Sequence, residues 1–411
     1  MAAQTRGYLA VALAAGAVFA LGLGVRQSQA LFIGPINSAI GIGYASISLA
    51  FAVGQLMWGV AMPVAGAMAD RWGPRRVMLA GALMVAAATA ATPLATSTTA
   101  LIILIGIFAA CGASAMGPGL LIAASGRWIP EAKRNMMNGI VNAGGSFGQF
   151  TVIPLAQLFI GLAGWQPAMI ILGAIGLAAI PLILWITQGH AEHAAAQPAA
   201  PAGSLKKALA DAAKDPSYLL LTAGFFTCGF HVAFIATHLP GVVASCELPP
   251  AVSAWSLALI GLFNIFGSLW IGKMITGRRM KIALAWTYFA RAMLILAFFF
   301  SPKTTPTFLL FACGIGFTYL STVPPTIGLV IKFYGPRYVA TLFGVVMLSH
   351  QVGGFLGAYL GGRAFEANGN YDWMWWADIA LCLMAAAVHL PIREAKPMVG
   401  APAPAAPASA A

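Results

Sequence analysis

Charge is scarce in this chain. Only 8% of its 411 residues are Asp, Glu, Lys or Arg, where an ordinary soluble domain has about 25%. Acidic residues number ten. Nine fall in expected loops, tails or span ends: Asp70, Glu131, Glu192, Asp211, Asp215, Glu247, Glu366, Asp372 and Glu394. The exception is Asp378. Cysteine is sparse too: Cys111, Cys228, Cys246, Cys313 and Cys382 form no CxxC pair. They read as small apolar packing residues, not as a disulfide framework or a metal site. No Walker loop, HExxH, GxSxG or DxDxDG pattern occurs in a polar segment, and no polar stretch is long enough to make a catalytic domain. No cofactor and no metal is expected, and the chain does not read as an enzyme.

Apolar residues are abundant, at 60% with a mean hydropathy of +0.86. They gather in stretches at 8–33, 45–68, 77–95, 100–124, 137–162, 167–187, 217–240, 252–275, 282–300, 308–331, 338–362 and 372–392. Each spans, or nearly spans, a hydrocarbon core of about 30 Å at about 1.5 Å per residue. The expected fold class is an all-α membrane protein with twelve transmembrane helices.

The cations order these spans. With the N-terminus inside, one side holds Arg6, the Arg71–Arg75–Arg76 cluster, Arg127 with Lys133 and Arg134, and Lys206 with Lys207 and Lys214. It also holds Lys273, Arg278, Arg279 and Lys281, then Lys332 and Arg337, and finally Arg393 and Lys396. That is 18 of the 22 Lys and Arg. The opposite side holds Lys303 and Arg363, while Arg26 and Arg291 lie inside spans. The positive-inside rule then puts both termini in the cytoplasm. The net charge of +12 is therefore a topology signal, with no nucleic-acid partner implied. Arg6, an apolar run and Ser28-Gln29-Ala30 resemble a signal peptide, but the first stretch is longer than a signal core and is expected to be retained as a helix.

Residues 188–216 interrupt the apolar pattern with Ala, Pro and polar residues. The expected division is a six-helix half over 1–187, a cytoplasmic linker over 188–216, a second six-helix half over 217–396 and a disordered tail over 397–411. A short amphipathic piece starts near Lys206-Lys207-Ala208-Leu209. The halves repeat weakly. Gly66 and Gly272 each precede a cationic loop and lie 206 residues apart; Gly139 and Gly344 follow Arg134 and Arg337 and lie 205 apart. Repeats of this kind build many transporters.

Residues Gly66-Ala67-Met68-Ala69-Asp70-Arg71-Trp72-Gly73-Pro74-Arg75-Arg76 resemble the signature loop of the major facilitator superfamily, G-x-L-A-D-R-x-G-R-R/K. Met68 replaces the usual Leu, Pro74 is an insertion-like variant, and the counterpart after span eight lacks the aspartate. The resemblance covers residues 7 to about 395. It implies that this loop, through Gly66, Asp70, Arg71, Gly73 and Arg75, latches the cytoplasmic side between conformations. A narrower likeness, to the monocarboxylate-porter and oxalate/formate-exchanger branch, rests on Gly24-Val25-Arg26-Gln27-Ser28, Leu31-Phe32 and Pro35, the Arg127-Trp128-Ile129-Pro130 to Arg134 loop, and Gly164-Trp165. It implies a small organic anion as substrate, with protons or a counter-anion as coupling partner. A monomer in a bacterial inner membrane, in contact with the lipid bilayer, is expected.

Ionisable groups inside a bilayer are costly and ask for a reason. Arg26, with Gln27 beside it, lies in span one, which lines the central cavity in the family. A guanidinium stays charged and offers a fork for a carboxylate; snorkelling to the outer headgroups is the plain alternative. Arg291 is mid-span in a helix that the family places at the periphery, so a structural role is expected; a pair with Asp378 is conceivable. His231 in span seven, His350 in span eleven and Asp378 are the coupling candidates. Asn142, Asn264, Tyr319, Thr322 and Gln351, with His231 and His350, are candidate substrate contacts or interhelical hydrogen-bond partners. Glycine runs at Gly144-Gly145-Gly148 and Gly353-Gly354-Gly357-Gly361-Gly362 suit close helix packing. Pro118 and Pro324-Pro325 mark expected kinks. Secondary transport of a mono- or dicarboxylate is the reading that accounts for most of these residues. Efflux of amphipathic or cationic compounds would call for a buried acid in spans one, four, five or seven, and a non-transporting sensor for an appended domain.

Overall fold

The computed structural model describes residues 7–125, 128–129, 133–188, 202–335 and 338–394. Twelve long helices make up most of them. They are α1 Tyr8–Ile40, α2 Tyr44–Trp72, α3 Pro74–Leu94, α4 Thr98–Ser125, α5 Met136–Ala163, α6 Trp165–Ile186, α7 Pro216–Ser245, α8 Pro250–Met274, α9 Met280–Phe300, α10 Thr305–Tyr334, α11 Thr341–Asn368 and α12 Asp372–His389. The first eleven are long and apolar enough to cross a membrane. The last has 18 residues and carries Asp372, Asp378 and His389; it reaches about 27 Å, close to the core thickness. The all-helical membrane fold is thus the observed one. A further short helix, Ala202–Ala212, precedes α7. Arg6, the Arg127 and Pro130 positions, residues 189–201 of the expected linker, Arg337 and the tail from 395 lie outside the described residues, as does the side chain of Arg134.

Local chemistry sets the helix ends. Gly73, at φ +82°, closes α2 and Pro74 opens α3, a positive-φ position open to glycine followed by a preset first turn. α1 continues seven residues beyond its expected end, through a 3₁₀ turn at Gln29–Phe32, and stops at Gly41 with φ +71°. Lys303 finishes α9: its Nζ donates to the carbonyls of Phe298, Phe299 and Ser301, a cation at a helix C-terminus.

Among the discontinuous helices, two correspond in the repeat. α4 contains a π-helical stretch, Ile102–Ala109, and breaks at Met116 and Gly117, just before Pro118. α10 breaks between Thr318 and Val323, just before Pro324 and Pro325. Proline cannot donate to the preceding turn, so the helix stops and restarts there. By contrast, Pro63, Pro154 and Pro240 stay within continuous helices.

Packing follows the same near-symmetry. α1 lies along α5 as α7 lies along α11; α2 meets α4 as α8 meets α10; α3 meets α6 as α9 meets α12. Small residues allow the closest of these approaches. Gly144 and Gly148 of α5 sit against the backbone at Gly16 and Ala20, and Gly353 and Gly357 of α11 against the carbonyls of Phe226 and Phe230.

The first six helices meet the last six mainly through α2 with α11 and α5 with α8. These contacts lie towards the end of the bundle opposite the termini. There Tyr44 packs edge-on to Phe365, the Ala45 amide donates to Glu366 Oε2 at 2.7 Å, and Gln149 Nε2 donates to the Leu257 carbonyl at 3.0 Å. The α2–α11 contact extends inward as far as Gly59 and Gln351. Beyond that level Val60, Val64, Val345 and Leu348 are exposed. The seam is therefore closed at one end and parted at the end where Gly7 and Glu394 lie.

Candidate functional site

Arg26 lies where the closed part of the seam begins. Its Nη2 donates to Gln55 Oε1 at 3.0 Å and to the Gly54 carbonyl at 3.4 Å. Its guanidinium lies 4.2 Å from the ring centroid of Trp58, a cation–π contact. All three partners are neutral and belong to α2. Among the described residues no carboxylate pairs with Arg26. A guanidinium has five N–H donors, and among the described residues only Nη2 is engaged. Arg26, Gln27, Gln29, Gln55 and Thr237 border a cavity of about 20 Å³, room for a water molecule.

Across the seam, the Tyr319 hydroxyl lies within electrostatic range of Arg26 and donates to the Val232 carbonyl at 3.0 Å. Gln351 is buried with its aliphatic part against Gly59. Asn264 is buried in the seam. Its Nδ2 donates to Ser146 Oγ at 2.8 Å, and its Oδ1 accepts from the Leu320 amide at 3.0 Å. One side chain thus joins α5, α8 and the break in α10. Arg26, Gln27, Tyr319 and Gln351 are therefore brought to one region, with Asn264 adjoining through the α10 break. Gln55 and Trp58 complete the setting of Arg26, and sequence reasoning missed both. A glutamine and a tryptophan in an apolar span look like ordinary packing residues; the signal available was their position in the span next to a lone arginine.

The other candidates do not contact Arg26, although the ring of His231 lies edge-on to that of Tyr319, 6.3 Å between centroids. Asn142 is exposed on the open side and donates to its own helix at the Asn138 carbonyl, 2.7 Å. Thr322 is fully buried with its Oγ1 3.2 Å from Cys228 Sγ. His350 is half-buried beside Cys228, its ring 5.2 Å from that of Phe225. His231 is fully buried, its Nδ1 2.7 Å from Asp378 Oδ2. Arg291 and Asp378 are not paired: the Arg291 Nη2 donates instead to the carbonyls of Thr318 and Tyr319. It satisfies the free carbonyls where the first segment of α10 ends, and its charge suits that helix C-terminus.

Cys382 extends the buried pair, with its Sγ 3.7 Å from Asp378 Oδ1. The ligand-type atoms of His231, Asp378 and Cys382 lie within 4.8 Å of one another. The set could be mistaken for a metal centre. However, two ligands of one tetrahedral ion at about 2.1 Å stand roughly 3.4 Å apart, and the 2.7 Å spacing here is that of a hydrogen bond. The arrangement can share a proton and hold α7 against α12.

At the open end Asp70, Arg71 and Arg75 are exposed. Arg71 lies over the ring of Trp72 at 5.7 Å, and Asp70 has no ion pair among the described residues. Gly66 has open space around it. The segment expected to act as a latch lies at the parted end.

A twelve-helix bundle with paired broken helices, parted at one end and holding a cation at the base of the opening, is the architecture of a membrane transporter. The family model of the Major Facilitator Superfamily matches residues 9–358, and the chain belongs to that superfamily, as a secondary transporter of some small solute. It is 24% identical over 363 residues to the Bacillus subtilis MFS-type transporter YcxA, covering 86% of this chain and 88% of the other. It is 24% identical to monocarboxylate transporter 13 of Rattus norvegicus, covering 86% and 81% of the two chains. The oxalate:formate antiporter of Oxalobacter formigenes is 24% identical over 59% of this chain and 57% of its own. Among solved structures, a bacterial homologue of the human lysosomal transporter Spinster, crystallised inward-facing and unoccupied, superposes with a TM-score of 0.69. It is 16% identical, covers 94% of this chain and 95% of its own, and shares the fold.

Proposed function

We propose that this transporter carries a small organic anion, a mono- or dicarboxylate, across a bacterial inner membrane by alternating access. The observation that carries the reading is Arg26: a guanidinium at the base of the opening, held among the described residues by neutral groups alone, with donors left over. An anion arriving from the open end supplies the missing charge and accepts a bidentate pair of hydrogen bonds. Relatives named as monocarboxylate transporters and as an oxalate:formate antiporter support the substrate class. Around the anion, Gln27, Gln55, Tyr319 and Gln351 would supply polar company.

The open end bears most of the cations, so it faces the cytoplasm under the positive-inside rule, and both termini are cytoplasmic. The conformation described is then the inward-facing one. The two six-helix sets rock about the level of Arg26, breaking the α2–α11 and α5–α8 contacts and engaging the Asp70–Arg71 loop. Coupling is anion exchange, or proton symport with the proton held by the His231–Asp378 pair.

The test is uptake of labelled mono- and dicarboxylates by proteoliposomes. Arg26→Ala abolishes uptake while the protein still inserts, and Arg26→Lys restores a fraction, because a point charge does not reproduce the fork. Full transport by Arg26→Ala sinks the reading; so does transport of cationic amphipaths with carboxylates inert.

A further inference from the structure

A second cavity lies outside the seam. Between α8, α9 and α10 a groove of about 570 Å³ opens on the outer surface of the bundle. Trp270, Trp286, Ala290 and Phe317 line it, and Arg278 and Arg279 stand at its mouth. Trp270 and Trp286 are half-exposed or more, as side chains of an interfacial aromatic belt are.

Two of the cations near these arginines are engaged. Lys332 meets Glu394 at 3.1 Å, and Lys281 Nζ donates to the Leu390 carbonyl at 2.7 Å. Arg278 and Arg279 are exposed and pair with no described carboxylate. The groove also has a definite length. From Arg279 to Ala290 is eleven residues of helix, about 16 Å. That is one leaflet of a core of about 30 Å. Its deep end borders Thr318 and Ser321, at the break in α10.

We propose that this groove binds an anionic glycerophospholipid, with the phosphate on Arg278 and Arg279 and one acyl chain lying along α9 towards the break in α10. The charge at the mouth selects an anionic headgroup, and the apolar, leaflet-deep channel takes the chain. A soluble phosphate gains only the two arginines, and a zwitterionic lipid carries no net charge for them to attract. Because Arg291 already binds the Thr318 carbonyl, the end of the acyl chain abuts the segment that Arg291 holds. The inference is independent of which solute is transported.

Thermal unfolding of the purified full chain in detergent tests it, with phosphatidylglycerol, phosphatidylcholine and glycerol 3-phosphate as probes. A ligand that prefers the folded state raises the midpoint. Phosphatidylglycerol raises it for the wild type, and the other two do not. The R278Q/R279Q variant weakens the apparent phosphatidylglycerol affinity by about thirtyfold, the share of two basic side chains near an anionic surface. Equal shifts in variant and wild type overturn the proposal, as do phosphatidylcholine or glycerol 3-phosphate matching phosphatidylglycerol. A second measurement reads the chain: phosphatidylglycerol with brominated acyl chains quenches the fluorescence of the wild type more than that of Trp286→Phe. Equal quenching overturns the placement along α9.

Discussion

Glu366 of α11 accepts the backbone amide of Ala45 across the seam at 2.7 Å. The carboxylate caps the first turn of α2 from the opposite set of helices, where free N–H groups and the helix dipole favour an anion. The contact is exposed, so solvent screens it, but it can form only while this end is closed.

Glu366→Ala is therefore expected to shift the conformational balance away from the closed outer end. Loss of a cap of about 1 kcal/mol changes the ratio of states about fivefold. Spin labels on the outer ends of α2 and α11 should show a larger long-distance population by pulsed electron resonance. An unchanged distance distribution would leave Glu366 with no part in the gate.

Arg291 is fully buried, with its Nη2 on the carbonyls of Thr318 and Tyr319. Arg291→Met removes the cation and leaves those two carbonyls without it. A stability loss of about 3 kcal/mol or more is expected, read as a lower unfolding midpoint and a lower yield of inserted protein. Arg291→Lys recovers part of it. Normal stability combined with lost substrate affinity would move Arg291 from scaffold to binding site.

His231 and Asp378 share one hydrogen bond at 2.7 Å with both side chains buried. If they carry the coupling proton together, His231→Gln, Asp378→Asn and the double variant lose uptake driven by a pH gradient to the same extent, since effects within one unit are not additive. Counterflow with internal substrate alone survives in all three. Additive losses, or a gradient response that persists in the double variant, would show that coupling lies elsewhere.

Gly148 of α5 faces the backbone of Ala20, and a Cβ there meets the Ala20 carbonyl oxygen and Cα. Backbone cannot rotate away as a side chain can. Gly148→Val is expected to cost about 1–3 kcal/mol through overpacking. Gly161→Ala, with nothing within 4 Å of the added atom, is the control and should be neutral or mildly stabilising. Equal unfolding midpoints for the two variants would contradict the close α1–α5 packing.

Several readings from the amino-acid order agree with the structure for definite reasons. Pro118 and Pro324-Pro325 coincide with the breaks in α4 and α10, because a missing N–H acts locally whatever surrounds it. The glycines of α5 and α11 coincide with the closest helix contacts, because only absence of a side chain allows that approach. α1 was expected to end at 33 and continues to Ile40, since the polar residues Asn37 and Ser38 lowered its hydropathy without breaking the helix. Gln55 and Trp58 were not legible as part of the site, because nothing in α2 by itself marks which of its faces meets Arg26.

The sequence by itself determined the run of long apolar helices and the side on which the cations gather. A bilayer obliges each segment to satisfy its own backbone hydrogen bonds, so length and hydropathy suffice to locate a helix. The tertiary structure alone decided the partners. His231 meets Asp378 across 147 residues of chain, and Arg26 meets Gln55 across 29. Hydropathy measures how well a helix dissolves in lipid and carries no information on which neighbour a buried polar group faces. That choice, including which end of the seam is closed, arises only when twelve such helices pack together.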